Sequence, residues 1–308
     1  MKRPAWLGPL VALVIVFGVF AIWTPDTFLR TQNILTMARS TVIVATCAVG
    51  MTMVIITGGI DLSTGSVVAL TTVIIAKLLK RGYSPTVAVT AGLTAAAATG
   101  ACTGTLVGRA KMMPFVITLG TMTALRGVAK GIADEQKIDC DPRGLDKILS
   151  ADLSAPGLWM TLALALLVYG LLEYTRFGRH VFAVGSNEAA AKLTGIDTGA
   201  VKIIVYTLSS LLFGVAGVMA FSTLTVGDPT VSVGLELQVI AAVVIGGAPL
   251  TGGRGSIAGA VLGALLMTVI ATGAVHLGMA GWVQEIATGA IIVLAVALDL
   301  LRQSGRTR

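Results

Sequence analysis

Few residues in this sequence have a type and spacing that could carry out chemistry. The only histidines are His180 and His276, and Cys47, Cys102 and Cys140 stand far apart. Neighbours in the chain therefore build neither a metal-ligand set nor a redox pair. No G-x-x-x-x-G-K-[ST] stretch occurs, which removes the usual cradle for nucleotide phosphates. Gly253 to Ala258 fits G-x-G-x-x-A, but no strand precedes it and no βαβ unit surrounds it, so no dinucleotide site is expected. No nucleophile, base and orienting residue converge along the chain, and an enzyme is not expected. What remains are isolated ionisable residues in or beside apolar stretches, Asp61, Arg126, Glu236 and Glu285, and two clusters of glycine. Such groups suit the passage of a polar solute or ion through an apolar body, not the making of bonds.

The elements that must position them are set by composition. Of 308 residues 55% are hydrophobic and only 12% charged, with a mean hydropathy of +0.90. A soluble domain carries about 25% charged residues. The apolar residues also come in long blocks with short polar breaks, so the expected solvent is a bilayer. Aromatic content is 5% while 37 residues are glycine, a composition that lets helix backbones approach closely in lipid. Long apolar runs argue against an outer-membrane barrel, whose strands alternate over roughly ten residues. The net charge of +7 collects at the ends of the apolar stretches, as membrane topology requires, and forms no patch dense enough for nucleic acid.

About twenty helical residues cross a bilayer core, which gives about ten spans and an all-α, polytopic membrane bundle over residues 1–308 as a single domain. The spans lie near Leu7–Trp23, Met37–Thr57, Gly65–Leu79, Thr86–Gly108, Pro114–Ala129, Gly157–Tyr174, Val201–Phe221, Leu235–Ala248, Ser256–Val275 and Trp282–Leu301. Lys2 and Arg3 precede the first stretch, no small-residue cleavage site follows it, and it reads as an uncleaved helix that starts in the cytoplasm. Alternation then puts Arg109, Lys111, Arg176, Arg179, Lys192, Lys202, Arg254, Arg302, Arg306 and Arg308 inside, with both termini cytoplasmic. The external loop near 130–156 holds six acidic residues. One conflict stands: Lys80 and Arg81 fall outside, so either the second and third spans are re-entrant or the charge rule fails there. Gly92, Ala96, Gly100, Gly104 and Gly108, and again Gly255, Gly259 and Gly263, recur every four residues. These ladders predict close helix seams, either sliding or simply tightly packed.

Two segments interrupt the apolar pattern informatively. In ITGGIDLSTGSVVAL, Gly58 and Gly59 break the second stretch, and Asp61 and Ser63 offer capping groups to the next helix. Irregular backbone at membrane depth survives where protein or water satisfies it, so these four residues either line a solute path or cap a helix at the membrane surface. The inside loop near 175–200, TRFGRHVFAVGSNEAAAKLTGIDTGA, holds a short helix signal. Ser186 or Asn187 can cap it, Glu188 suits its first turn and Gly195 can stop it. Ala189, Ala190 and Leu193 then share a small apolar face, which either docks into another protein's groove or rests on the headgroups.

GGIDLSTGS at Gly58–Ser66, FGRHVFAVGSNEAAAKLTGI at Phe177–Ile196 and VIGGAPLTGGRGSIAGAVLGAL at Val244–Leu265 resemble, in order and spacing, the permeases of ribose-type ABC sugar importers. The similarity runs from about Asn33 to Arg302. It implies a type II importer fold of about ten helices in the cell inner membrane, beside a second permease copy. It further implies an ABC ATPase subunit that binds all the ATP and a periplasmic sugar-binding protein on the other side. By this resemblance Gly185–Ile196 is the coupling helix, with Gly185, Asn187, Glu188, Ala190 and Leu193 touching the ATPase. The loop with Asp134, Glu135, Asp139, Cys140 and Asp141 departs from the usual pattern of that family. A branched-chain amino-acid permease of the same superfamily and an ion-coupled secondary transporter are the rival expectations.

Overall fold

The computed structural model describes residues 6–149 and 155–304. Lys2, Arg3, Arg306 and Arg308 of the charge pattern and Asp152 of the acidic loop lie outside the described residues. In chain order the helices are α1 (Leu7–Trp23), α2 (Pro25–Phe28), α3 (Thr31–Ile56), α4 (Thr64–Lys80), α5 (Pro85–Gly108) and α6 (Pro114–Ile132). A two-residue strand β1 (Ile138–Asp139) and a 3-10 turn (Leu145–Leu149) precede α7 (Pro156–Tyr174), α8 (Arg176–Ser186), α9 (Glu188–Leu193) and α10 (Thr198–Leu224). Strand β2 (Val226–Gly227), α11 (Leu235–Ile245), α12 (Ile257–His276) and α13 (Gly281–Ser304) complete the chain.

Every expected apolar stretch lies on a helix. Among the described residues six helices, α3, α5, α6, α7, α10 and α12, are long and apolar enough to cross a membrane. The expected span at Leu235–Ala248 needs correction, since α11 has only 11 residues and at 1.5 Å per residue covers about half a bilayer core. Proline at the first turn starts α5, α6 and α7, where its missing N–H costs nothing.

The core forms around α10, which packs on α3, α4 and α5. Both glycine ladders are tight seams in this structure. A Cβ on Gly104 would stand 2.8 Å from the Cα of Ile203, and one on Gly108 would stand 2.6 Å from the carbonyl oxygen of Gly199, so α5 lies directly on the α10 backbone. Gly259 and Gly263 likewise abut the carbonyls of Gly246 and Ala242, sealing α12 to α11. Burial is uneven: 78% of the apolar window of α3 is enclosed against 11% for α6. Cys47 is buried as a packing residue, whereas Cys102 lies on the exposed side of α5.

The acidic loop folds into a lobe. β1 pairs antiparallel with β2, Ile138 opposite Gly227 and Asp139 opposite Val226. Lys77 Nζ donates to the Ile132 carbonyl at 2.9 Å and reaches Asp134 at 3.4 Å, while Arg143 donates to the carbonyls of Gly82 and Tyr83. The turn that carries Lys80 and Arg81 therefore lies beside the acidic lobe. A 26-residue α3 is too long for a re-entrant segment, and the acidic lobe beside the turn offsets the charge of Lys80 and Arg81.

Candidate functional site

The 175–200 loop holds two helices where the sequence suggested one. α8 was missed, although Phe177, Val181 and Val184 repeat at helical spacing and Val181 and Val184 are buried. The Thr175 side chain caps α8 by accepting from Gly178 N at 3.2 Å. Asn187, not Ser186, caps α9, its Oδ1 accepting from Ala190 N at 3.0 Å, and Gly195 ends the turn with φ +85°. Ala189, Ala190 and Leu193 share the exposed face, Leu193 being 90% exposed, while Ala191 is buried beneath.

Glu188 fixes this short helix to α10. Its carboxylate accepts from Lys202 Nζ at 2.7 Å, Lys192 Nζ at 2.8 Å and Thr198 Oγ1 at 3.1 Å. Partial burial pushes the carboxyl pKa up, but these donors outweigh it and hold it at about 2. Next to it Asp197 accepts from Ala200 N and from Arg109 at 2.8 Å, and both contacts keep it below the ordinary carboxylate range. A cleft of about 420 Å³ opens beside α9, lined by Phe177, His180, Ile196, Asp197, Val201 and Ile204.

The glycine break lies directly behind this surface. Gly58 is exposed with φ +77°, and Gly59 is buried against the Tyr206 hydroxyl. Asp61, 1% exposed, turns back on its own chain, Oδ1 accepting from Ser63 N at 2.9 Å and Ser63 Oγ at 2.6 Å. Ser63 itself makes no side-chain cap on α4; its hydroxyl is spent on Asp61. Thr118 of α6 donates to the Ile60 carbonyl at 3.0 Å. Asp61 and Ser63 are thus enclosed in this conformation and do not face an open channel.

The two glycine clusters meet. Gly253 N donates to the Ile56 carbonyl at 2.8 Å, and Gly185 of α8 presses its Cα on the same carbonyl. Gly185 therefore faces inward, beneath α9. The sequence marked all three places without revealing that they touch.

The other ionisable candidates are placed differently. Arg126 donates to the carbonyls of Pro229 and Val231 at 2.9 and 2.8 Å, satisfying the irregular 228–234 segment. Glu236 accepts from Gly234 N at 3.2 Å at the start of α11, and Glu285 is exposed on α13. Arg126 and Glu236 lie near enough for their charges to interact, and among the described residues no hydrogen bond or ion pair joins any two of Asp61, Arg126, Glu236 and Glu285.

Residues 33–296 match the family described as branched-chain amino acid transport system / permease component. The chain is 36% identical to the ribose import permease protein RbsC of Escherichia coli (strain K12), with 97% of this chain and 96% of the relative aligned. It is 37% identical to the ribose import permease protein of Bacillus subtilis (strain 168), over 95% and 92%. It is 34% identical to the L-arabinose ABC transporter permease protein AraH of Azospirillum brasilense, over 97% and 88%. No solved structure matches significantly. A family match over most of the chain, with full-length relatives that agree from end to end, shows that this chain belongs to the permease components of binding-protein-dependent ABC transport systems.

Proposed function

We propose that the chain is the membrane-spanning permease subunit of an ABC importer that moves a monosaccharide, ribose-like or related, across the inner membrane. The observation that carries this reading is identity with ribose and arabinose permeases along almost the whole chain. The exposed, capped and charge-anchored α9 supplies the physical means of coupling. On this reading ATP is bound by an ATPase subunit and this chain needs no cofactor of its own. α9 docks into a groove of that ATPase: Ala190 and Leu193 make the contact, Asn187 and Glu188 hold the shape, and Gly185 supports it from behind.

The bundle then crosses the membrane about ten times in a type II importer arrangement with both termini cytoplasmic, α11 and its flanking backbone together filling one crossing. A periplasmic sugar-binding protein delivers solute at the end that carries the acidic lobe. The thinly covered α6 leaves room for lipid or a second permease copy. Gly58, Gly59, Asp61 and Ser63 line the path once the bundle opens, which requires the Asp61–Ser63 turn to be uncovered.

Ala190→Arg tests the reading: uptake by the reconstituted transporter collapses while the chain still inserts, and normal uptake would overturn the role of α9. The family's description favours one second reading, a branched-chain amino acid as solute. Identifying the ligand of the co-purified binding protein separates the two. Ion coupling has less support, because Asp61 and Arg126 are engaged in local bonds. Uptake that survives collapse of the proton and sodium gradients but stops on ATP depletion excludes it.

A further inference from the structure

We infer that the contact of Gly185, Gly253 and the Ile56 carbonyl is the joint that carries movement of α9 into the bundle, with Gly185 and Gly253 as positioning residues for coupled transport. The inference rests on the reading of α9 as the element that an ATPase moves.

Three segments distant in sequence meet backbone to backbone. Gly253 N donates to Ile56 O at 2.8 Å. A Cβ on Gly185 would overlap that carbonyl oxygen and lie 2.7 Å from Gly253 N. One on Gly252 would stand 2.8 Å from Gly58 N, and one on Gly253 would stand 2.9 Å from Ser186 Oγ. Gly58, Gly252 and Gly253 have φ of +77°, +83° and +74°, a region open to glycine at no steric cost. No flexible side chain separates the segments at these points, so a displacement of one must shift the others or break the hydrogen bond. Packed interfaces of this kind switch between arrangements; they do not deform gradually.

The joint also lies where movement would arrive and leave. Gly185 precedes the α9 cap by two residues, and Asn187 N donates back to Ala183 O at 3.1 Å, joining α8 to α9. On the bundle side, Ile56 leads into the break that holds Gly59 under Tyr206 and Ile60 against Thr118 of α6. Gly253 leads to Ser256, which caps α12, and back to Gly246 at the end of α11. One push therefore reaches α3, α4, α6 and the α11–α12 pair. The second anchor of α9, Glu188 on Lys202 and Thr198, leads into α10 and the helices packed on it, but through side chains that can re-aim, and a partly exposed ion pair holds weakly.

The test measures ATP consumed per sugar imported by the complete transporter, permease with ATPase and binding protein, in vesicles. Gly185 is helical, so its backbone accepts alanine and the contacts with Ile56 and Gly253 are what object. Gly185→Ala is expected to raise the ratio about tenfold, with the ATPase still co-purifying, a loss of coupling of ordinary allosteric size. Gly170→Ala, on α7 with nothing within 4 Å, is expected to leave it unchanged. If Gly185→Ala does not assemble, Gly255→Ala decides. There a Cβ meets side chains alone, closest the Ile56 Cγ1 at 2.6 Å and Cδ1 at 2.8 Å, with Thr52 Cγ2 at 3.3 Å. Gly255→Ala is expected to raise the ratio about threefold, and adding Ile56→Ala to restore it. An unchanged ratio in Gly185→Ala, or in Gly255→Ala where the former fails, overturns the joint, as does uptake that falls in step with hydrolysis. Ala190→Arg run in parallel separates the readings: if it leaves the ATPase docked and uptake normal, the assignment of α9 fails first.

Discussion

The lobe at 133–149 and the turn carrying α9 lie at opposite ends of α10, a helix of 27 residues and about 40 Å, and they are fastened by different means. Beyond the short β1–β2 pairing, the lobe hangs on long side chains: Lys77, Arg143 and Arg39 reach backbone carbonyls, and Lys137 meets Asp228 at 3.0 Å. At the other end backbone meets backbone, through Gly108 on Gly199 and Gly185 on Ile56, with short capped helices outside. Long side chains re-aim when a neighbour changes, whereas a glycine contact has nothing to give. The lobe should therefore absorb substitutions that the α9 end cannot.

The sharpest way to break this contrast is Gly108→Val, which forces α5 off α10 and is expected to cost about 3 kcal/mol. The check is thermal unfolding in detergent, and a loss below 1 kcal/mol would erase the contrast. Arg126→Gln comes next. It strands the carbonyls of Pro229 and Val231 and should cost roughly 2 kcal/mol, showing that the lobe side too has one side chain it cannot spare. Asn187→Ala removes the α9 cap at about 1 kcal/mol, read as faster hydrogen exchange across Glu188–Leu193. Lys137→Ala should change stability least, by about 0.5 kcal/mol, an effect that vanishes in high salt.

Acid gives a further handle on the α9 end. The folded Glu188 pKa is depressed to about 2 from 4.5, so its stabilisation is complete above about 4.5 and is lost as pH falls toward 2. Hydrogen exchange across α9 should be flat from pH 6 to 8 after correction for intrinsic rates. It should rise in acid, and Glu188→Gln should abolish that acid step.

How much of this was legible in the sequence depends on the range of the forces. Capping is local, so the limits of α9 could be read from Asn187, Glu188 and Gly195. Apolar runs are local too, and each stretch became a helix. α11 proved half-length because Gly247, with φ +96°, and Ala248 N on the Val243 carbonyl close it and Pro249 follows, a local stop that the surrounding apolar run concealed. α8 was legible but overlooked, since Arg176, Arg179 and His180 masked an apolar stripe. The glycines marked where backbones approach, but a residue without a side chain carries no sign of its partner. Ile56 looks like any other isoleucine in an apolar run.

The position of Lys80 and Arg81 has a consequence for biogenesis. On the topology proposed above, with both termini cytoplasmic, this turn is carried across the bilayer before residues 133–149 can fold against it. The two cations thus travel ahead of the carboxylates that later surround them, against the usual bias. The burden falls on the insertion machinery for the time it takes to make the intervening chain, and the finished protein no longer bears it.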